Sequence, residues 1–302
     1  MKVVVTGANG AVGRAILRCG RESAPSPLSL VAAVRSDRAA EPIRDQLSNT
    51  DSVAIISYAD AASLNAAFDG AAAVIHLPGI LIERADSTYE QANVASTRAV
   101  IEAAKKAGVQ KFVLVSAIGA DEKSPNRYYR TKGEAELLVA NSDLPYTVLR
   151  APLLLGPDTA GAAALRRNVT LPKARLIGGG RNLQQPLYVD DLARAAVLAA
   201  TAPSVAKNIV LDLVGPASLP ERELVERAAR MLGHEVRIGS IPKNLLALAL
   251  RIRQLVAGPG FSSDALEVVT ADTHLDPQPA ACKLGLQLTG IDEMIRGSIG
   301  AK

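Results

Sequence analysis

Short apolar runs alternate along the first half of the chain with longer segments in which hydrophobic residues recur at helical spacing. The runs are rich in β-branched residues and too short for buried helices, so they are predicted to be strands. They cover residues 2–6, 29–34, 52–57, 72–77, 111–116 and 144–150. Strands separated by helical segments of this length predict an α/β fold with a parallel sheet and right-handed crossovers.

The first predicted strand leads into a glycine-rich turn and then a helix, and the rest of the chain is organised around this unit. Gly7 allows the tight turn, Gly10 lets backbone approach a pyrophosphate, and Gly13 lets the helix pack closely on the strand. The helix N-terminus offers free N–H groups and a positive dipole end to phosphates. The predicted cofactor-binding residues here are Thr6, Gly7, Ala8, Asn9, Gly10, Ala11, Val12 and Gly13.

The end of the second predicted strand bears on the choice of cofactor. Arg35 stands about 20 residues beyond the glycines, where a dinucleotide fold meets the adenosine ribose. Arg35, together with Arg38, suits the 2′-phosphate of NADP. Asp37 lies close by, and an arginine at a strand end is often only solvated, so NAD stays open as the alternative.

Two further strand ends carry predicted cofactor contacts. Asp60 follows the third strand, and either accepts a hydrogen bond from the adenine amino group or caps the helix that starts at Ala61. Leu77, Pro78 and Gly79 lie at the carboxyl end of a central strand, where ligands sit in such sheets.

Composition narrows the class of protein. A chain of 302 residues that is 48% hydrophobic can bury a large core, and a formal charge of +4 without a long basic run does not imply nucleic acid. Cys19 and Cys282 lack metal-ligand spacing, and the three histidines lie far apart, so no metal site is predicted and a reducing compartment is expected. Glycines interrupt the N-terminal valines, and no apolar stretch reaches the ~20 residues of a membrane span. A cytoplasmic protein is expected.

A tyrosine and a lysine form the candidate chemical pair. Tyr128 and Lys132 are four residues apart in a predicted helix, so their side chains leave the same face. An ammonium near a phenol lowers the pKa of the phenol, which makes the tyrosine usable as an acid or base near neutral pH. Tyr129 has Gly133 four residues on, so Tyr128 is the better candidate.

Several motifs together carry a resemblance to a known family. They are TGANGAVG (6–13), VIHLPG (74–79), the segment from Asn93 to Ser116, YYRTK (128–132), LRAPLLLGP (149–157) and PLYVDDLARA (186–195). This pattern resembles the short-chain dehydrogenase/reductase superfamily, and within it the extended or atypical branch of NAD(P)-dependent epimerase/dehydratase-like proteins. The resemblance covers nearly the whole chain. It implies a Rossmann-type doubly wound parallel sheet with a small C-terminal α/β cap domain.

The resemblance also implies roles for individual residues. Tyr128 and Lys132 match the Tyr-x-x-x-Lys motif of the family, in which the lysine holds the nicotinamide ribose, and Pro152 lies in the segment that passes the nicotinamide. The family places a serine or threonine beside the tyrosine. Here Ser116 is the nearby hydroxyl, one or two residues early, so it is either catalytic or an ordinary strand-end serine. Asp190 and Asp191 are expected to cap a helix and return the chain to the sheet.

The second half is predicted to build the substrate domain. The predicted boundaries are residues 1–155 for the NAD(P)-binding domain, with a return segment 184–203, and residues 156–183 and 204–302 for the substrate or cap domain. Basic residues in the first excursion form either an anion site or a solvated face; they are Arg166, Arg167, Lys173, Arg175 and Arg181. Residues 245–256 form either a helix packed into the small domain or an apolar wall over the substrate that reaches a membrane surface.

These observations predict an NADP-dependent oxidoreductase, or an epimerase or dehydratase that begins with hydride transfer. The substrate is expected to be a small molecule, either a sugar nucleotide or an apolar alcohol or ketone. Tyr128 is the expected acid/base and Lys132 the residue that orients the ribose. The alternative, also drawn from the resemblance, is a non-catalytic NADPH-binding redox sensor or a structural or assembly subunit. Many proteins of this family dimerise through helices of the large domain, so the resemblance leaves a homodimer open.

Overall fold

The computed structural model describes residues 1–170 and 172–300, with the side chains of residues 21 and 254–257 set aside. The strands are β1 (Lys2–Thr6), β2 (Ser29–Val34), β3 (Ser52–Ile55), β4 (Ala73–His76), β5 (Lys111–Ala117), β6 (Tyr146–Ala151), β7 (Leu154–Leu155), β8 (Lys173–Ile177), β9 (Leu183–Gln184), β10 (Leu187–Tyr188), β11 (Ile209–Asp212), β12 (Leu219–Pro220) and β13 (Arg237–Ile241). The helices are α1 (Ala11–Cys19), α2 (Asp37–Ala40), α3 (Ala61–Phe68), α4 (Ser96–Lys106), α5 (Arg127–Ala140), α6 (Ala160–Thr170), α7 (Val189–Thr201), α8 (Glu221–Met231), α9 (Lys243–Ala257), α10 (Ser263–Val269), α11 (Gln278–Leu284) and α12 (Ile291–Ile299). A π-helical turn, Glu90–Ala95, leads into α4.

The central sheet is parallel and has seven strands in the order β11-β6-β5-β4-β1-β2-β3. The six strands predicted from the apolar runs all belong to it, and the predicted doubly wound α/β class is confirmed. The chain adds β2 and β3 on one side of β1 and then β4, β5, β6 and β11 on the other side, so the strand order reverses between β1 and β4. In open α/β sheets a ligand crevice opens at this point, outside the carboxyl ends of the strands.

The inner strands of the sheet are buried on both faces, which explains why they read as continuous apolar runs rather than as alternating ones, whereas the edge strands β3 and β11 keep exposed residues. Val3 and Val5 of β1 pack in a cluster with α1 and α7, whereas Val4 packs in a second cluster with α3 and α4. All three valines are completely buried.

The smaller part of the structure lies around α6, α8 and α12, whose apolar faces form a third buried cluster. Residues 156–183 leave the central sheet, and β8 pairs instead with β13. The structure differs from the predicted boundaries in one respect. β11 falls inside residues 204–302, which were assigned to the cap, yet it pairs with β6 as the last strand of the central sheet.

Candidate active site

Close contacts require glycine at two positions of the first turn, Gly7 and Gly13. Gly7 has a φ of +71°, and a Cβ added there would lie 2.9 Å from the carbonyl oxygen of Leu77. A Cβ added at Gly13 would lie 2.4 Å from the carbonyl oxygen of Ala8. α1 begins immediately after Gly10, and no side chain caps it. The first N–H groups of α1 are therefore open toward an anion.

Neighbouring strand ends hold this glycine turn in place. The N–H groups of Gly7 and Ala8 donate to the carbonyl oxygen of Ala33 on β2, at 3.1 and 3.4 Å. The guanidinium of Arg14 donates to the carbonyl oxygen of Asn9 at 3.0 Å. Both interactions fix the backbone from Gly7 to Gly10 before any ligand binds.

The side chain of Thr6 contacts a buried histidine. Its hydroxyl lies 2.6 Å from Nδ1 of His76, and Nε2 of the same ring lies 3.2 Å from the hydroxyl of Thr97. Burial lowers the pKa of His76 to about 3, so the ring is neutral. The Thr6 side chain thus links β1 to β4 in the structure, and a cofactor contact from it stays a prediction.

Arg35 lies just beyond β2, two residues after Ala33, whose carbonyl oxygen accepts hydrogen bonds from the glycine turn. The side chains of Arg35 and Arg38 are exposed. Asp37, which left NAD open at the sequence level, lies 3.6 Å from Arg44. The glycine turn and Arg35 therefore occupy neighbouring strand ends, as a dinucleotide site needs.

Asp60 caps α3: its carboxylate accepts a hydrogen bond from the N–H of Ala62 at 3.0 Å. Of the two interpretations given for this residue, the helix cap is the one that the hydrogen bond supports. A cap of this kind satisfies one of the free N–H groups of the helix.

Lys132 reaches from α5 to the carboxyl ends of the central strands. Its ammonium donates to the carbonyl oxygen of Pro78 at 2.8 Å and lies 3.5 Å from that of Val115. Gly79 has a φ of +133°, which favours glycine, and a Cβ added there would lie 2.8 Å from Nζ of Lys132. The lysine is only 4% exposed, and burial lowers its pKa to about 8. The structure thus brings Pro78, Gly79 and Lys132 together.

Tyr128 lies one helical turn before Lys132 on α5, and its hydroxyl makes no hydrogen bond to the described part of the chain. Burial raises the pKa of its phenol above the usual value, and Tyr129 and Tyr89 raise it further. The expectation that Lys132 lowers this pKa is therefore wrong: loss of hydration is the largest cause of the shift, and Lys132 is not among the groups that change it. Tyr128 is a protonated phenol at neutral pH.

An ion pair fixes the start of α5 beside this phenol. Glu83 is buried and accepts two hydrogen bonds of 2.9 Å from the guanidinium of Arg127, the residue before Tyr128. The same guanidinium lies 5.6 Å from the ring centroid of Tyr89, and that ring meets the ring of Tyr128 edge-on at 5.7 Å. The loop after β4 is thereby held against Tyr128.

Ser116 lies near the end of β5, and its buried hydroxyl has no hydrogen-bond partner among the described residues. Side chains alternate along a strand, so Ser116 shares its face with Phe112 and Leu114, which pack toward α4 and α5. The register therefore turns this hydroxyl to the side of the sheet that carries Tyr128. Its catalytic role stays a prediction, as does the role of Pro152, which follows β6 at the same edge of the sheet.

Asn93 was not among the predicted site residues. It is fully buried in the π-helical turn before α4; its Nδ2 donates to the hydroxyl of Thr131 at 2.9 Å, and its Oδ1 has no partner among the described residues. That oxygen lies 3.4 Å from the position of a Cβ at Gly79. The sequence signal that could have found Asn93 is the motif that begins with this residue, combined with the tendency of π-turns to occur at functional sites.

Asp190 and Asp191 follow the N-terminal residue of α7, and neither caps it. Asp191 is fully buried and accepts hydrogen bonds from the N–H and hydroxyl of Thr289, at 2.8 and 2.9 Å, while Asp190 pairs with Arg18. The predicted capping role is replaced by one in which Asp191 ties the C-terminal segment to the large domain.

Residues 245–256 were predicted to be either a helix packed into the small domain or an apolar wall over the substrate, and the exposure of their side chains bears on this choice. These residues lie in α9, whose described side chains include exposed leucines, so the helix is not packed on all sides. None of the helices in the described ranges is long and apolar enough to cross a membrane.

The five basic residues of the first excursion, residues 156–183, are not gathered into one contact. Arg166 donates to the carbonyl oxygen of Ser298, and the other four basic residues are exposed.

The site fits a nicotinamide dinucleotide on observations of the structure itself. The glycine turn is a cradle that a Cβ would fill, and the first N–H groups of α1 are uncapped. Two buried polar atoms without partners, on Asn93 and Ser116, lie at the same edge of the sheet as Lys132. A doubly wound sheet with this turn at its reversal point defines a Rossmann-type dinucleotide-binding protein. The family model described as NAD(P)H-binding matches residues 7–211, so the chain belongs to this family.

Two curated relatives show the range of the family. The chain is 30% identical over 189 residues to the mitochondrial NADH dehydrogenase [ubiquinone] 1 alpha subcomplex subunit 9 of Arabidopsis thaliana, a match that covers 61% of this chain and 46% of that protein. It is 27% identical over 263 residues to the 4-hydroxy-2-methyl-3-oxo-4-farnesyl-3,4-dihydroquinoline-1-oxide ketoreductase of Stigmatella aurantiaca, with 80% and 76% covered. The chain spans less than half the length of the first curated relatives that it matches.

Two solved structures share the fold along their whole length. UDP-glucuronic acid 4-epimerase from Bacillus cereus, in complex with UDP-glucuronic acid and NAD, has a TM-score of 0.77 at 18% identity, with 100% of this chain and 98% of that chain covered. The NADPH-dependent quinone oxidoreductase of Escherichia coli, in complex with NADPH, has a TM-score of 0.72 at 21% identity, with 97% and 98% covered. These structures share the fold of the chain, which belongs to the NAD(P)H-binding family.

Proposed function

We propose that the protein is an NADP-dependent oxidoreductase that reduces a carbonyl group of a small molecule or oxidises the corresponding hydroxyl. The observation that carries this proposal is the pairing of a protonated phenol, Tyr128, with a buried ammonium, Lys132, on one face of α5 beside the glycine turn. The proposal includes an epimerase or dehydratase whose reaction begins with the same hydride transfer.

Each part of the dinucleotide has residues suited to hold it. The N–H groups at the start of α1 suit the pyrophosphate, and Arg35 suits a 2′-phosphate. Lys132 suits the hydroxyls of the nicotinamide ribose, because its ammonium already lies among oxygen acceptors at the strand ends. When bound, the nicotinamide supplies or accepts the hydride.

Tyr128 has the protonation state that reduction of a carbonyl needs. Since its pKa lies above the usual value, the phenol keeps its proton at neutral pH and can donate it to a developing alkoxide oxygen. The hydroxyl of Ser116, which lacks a partner among the described residues, is a second donor on the same side of the sheet. The ketoreductase relative acts on an oxo compound by its name, which supports a ketone substrate.

The catalytic proposal is tested by Tyr128→Phe, with the neighbouring Tyr129→Phe as the matched control. NADPH oxidation is followed by absorbance with menadione and phenanthrenequinone as probe substrates. Tyr128→Phe should lower kcat/KM by about 100-fold to 10,000-fold and leave the Kd for NADPH nearly unchanged, because general acid catalysis contributes rate enhancements of this size. Normal turnover by Tyr128→Phe would refute the assigned acid.

The preference for NADP is tested by calorimetric titration with NADPH and NADH. Arg35→Ala should weaken NADPH binding by roughly 10-fold to 100-fold, the value of a charge-assisted contact, and leave NADH binding unchanged. Arg181→Ala, which removes an exposed arginine from the smaller part of the structure, serves as the control. Tighter binding of NADH than of NADPH would overturn the role given to Arg35.

A non-catalytic NADPH-binding subunit is the second candidate. The similarity to a subunit of mitochondrial NADH dehydrogenase favours it, as does the absence of a hydrogen bond between Ser116 and the described residues. A protein of this kind binds NADPH with the same dependence on Arg35 but turns over none of the carbonyl probes. Turnover that depends on Tyr128 separates the two candidates.

A further inference from the structure

The helix α9 presents an apolar face to solvent. Leu245 is 66% exposed, Leu248 57% and Ile252 56%, and these are the most exposed large hydrophobic side chains described. They follow one another at helical spacing, so they form one face. The opposite face contains Leu250, which is buried, and packs against α10. Other exposed hydrophobic residues do not exceed 45% exposure, and isolated ones of that kind are ordinary on protein surfaces.

Positive charges flank this face on both sides. At 3.6 residues per turn, Leu245, Leu248 and Ile252 fall within about 60° of one another, and Arg251 and Arg253 lie roughly 100° to either side of their centre. The helix also contains Lys243 and no acidic residue from 243 to 257. Lys243, Arg251 and Arg253 are all exposed. An apolar face between cations is the arrangement of a helix that lies in the plane of a lipid surface.

The position of α9 connects this face with the candidate site. α10, on which α9 packs, is bound to the start of α5: Nδ2 of Asn126 donates to the carboxylate of Glu267 at 2.9 Å and to the carbonyl oxygen of Asp264 at 3.1 Å. Asn126 also caps α5, accepting a hydrogen bond from the N–H of Tyr128. The apolar face of α9 is therefore connected to Tyr128 through α10 and the start of α5.

We propose that α9 is a docking helix for an anionic lipid bilayer. Leu245, Leu248 and Ile252 enter the boundary between headgroups and acyl chains, while Arg251 and Arg253 contact lipid phosphates on either side. A bilayer is favoured over a protein groove because the cations lie on both sides of the apolar face and the helix carries no acid that would oppose an anionic surface. The docking does not depend on the activity proposed above.

Flotation of the full-length protein with lipid vesicles tests the proposal. Vesicles of equal parts phosphatidylcholine and phosphatidylglycerol are compared with vesicles of phosphatidylcholine alone. The wild type should float with the anionic vesicles, and Leu245→Ser/Leu248→Ser should lower the partition coefficient by about tenfold or more, because each leucine loses much of its transfer free energy. Arg251→Gln should lower it by about fivefold on anionic vesicles only.

The control is Leu137→Ser/Leu232→Ser, which removes two leucines that are each 43% exposed, one on α5 and one at the C-cap of α8. It should float like the wild type, and circular dichroism should show that both double variants are folded. Equal flotation of the Leu245→Ser/Leu248→Ser variant and the wild type would overturn the proposal, as would failure of the wild type to float with anionic vesicles. A lipid-independent dimer lost in that variant, found by sedimentation together with absence of flotation, would assign the face to a second copy of the chain instead.

Discussion

Gly13→Ala tests whether close contact between α1 and the glycine turn is needed for nucleotide binding. A Cβ added at Gly13 would lie 2.4 Å from the carbonyl oxygen of Ala8 and 2.5 Å from its Cα. Carbon contacts normally lie at about 3.5–4.0 Å, so the turn and the helix must separate by about 1 Å. Overpacking of this kind costs about 1–3 kcal/mol, which outweighs the roughly 1 kcal/mol that alanine gains over glycine in a helix.

We expect the free energy of unfolding to fall by up to about 2 kcal/mol, and the affinity for NADPH to fall by tenfold or more, because charge-assisted hydrogen bonds of about 1.5–3 kcal/mol depend on that backbone. Urea denaturation and calorimetry measure the two quantities. Gly290→Ala is the control for affinity: it has an ordinary φ of −69° and no atom within 4 Å of an added Cβ, so NADPH affinity should stay near wild type. Loss of the glycine at the N-cap of α12 should lower the free energy of unfolding by about 1 kcal/mol or less. Wild-type affinity in Gly13→Ala would refute the assignment of the turn.

Two further predictions concern stability. Arg150→Ala leaves the buried carboxylate of Glu136 without its bidentate partner and should cost about 3–5 kcal/mol in urea denaturation, whereas Arg222→Ala, which breaks an exposed pair, should cost under about 1 kcal/mol. His76 has a pKa of about 3 in the folded protein, so between that pH and 6.5 the unfolded chain binds more protons. Stability should therefore fall on acidification, by on the order of 1 kcal/mol per pH unit, and a Tm series should show a weaker fall for His76→Gln.

The sheet could be predicted from the sequence because its inner strands are buried on both faces and separated by regular helices. The glycine turn could be predicted for a related reason: its three glycines act within one short stretch of chain. The seventh strand was assigned to the wrong domain because β11 follows a long excursion, and only its pairing with β6 shows where it belongs. Nothing local distinguishes an edge strand of the large sheet from a strand of the cap.

The chemistry of the site was less accessible, because it depends on contacts between distant segments. Asn93 meets Thr131 across 38 residues of sequence, and Glu83 meets Arg127 across 44. The spacing of Tyr128 and Lys132 identified the pair, but the pKa of the phenol follows from how deeply it is buried, which spacing does not reveal. The predicted direction of that shift was consequently wrong.

The N-terminus of α5 is the point at which these distant segments meet. Asn126 binds α10 with its amide nitrogen and caps α5 with its amide oxygen, and Arg127 binds the loop after β4 through Glu83. The orientation of Tyr128 therefore depends on segments far before and far after it in the chain, whereas the described contacts of the glycine turn come from β2, α1 and Leu77 after β4. Substitutions in α9 or α10 can thus change the orientation of the Tyr128 phenol without changing the glycine turn. This separation means that nucleotide affinity and turnover report on different parts of the structure.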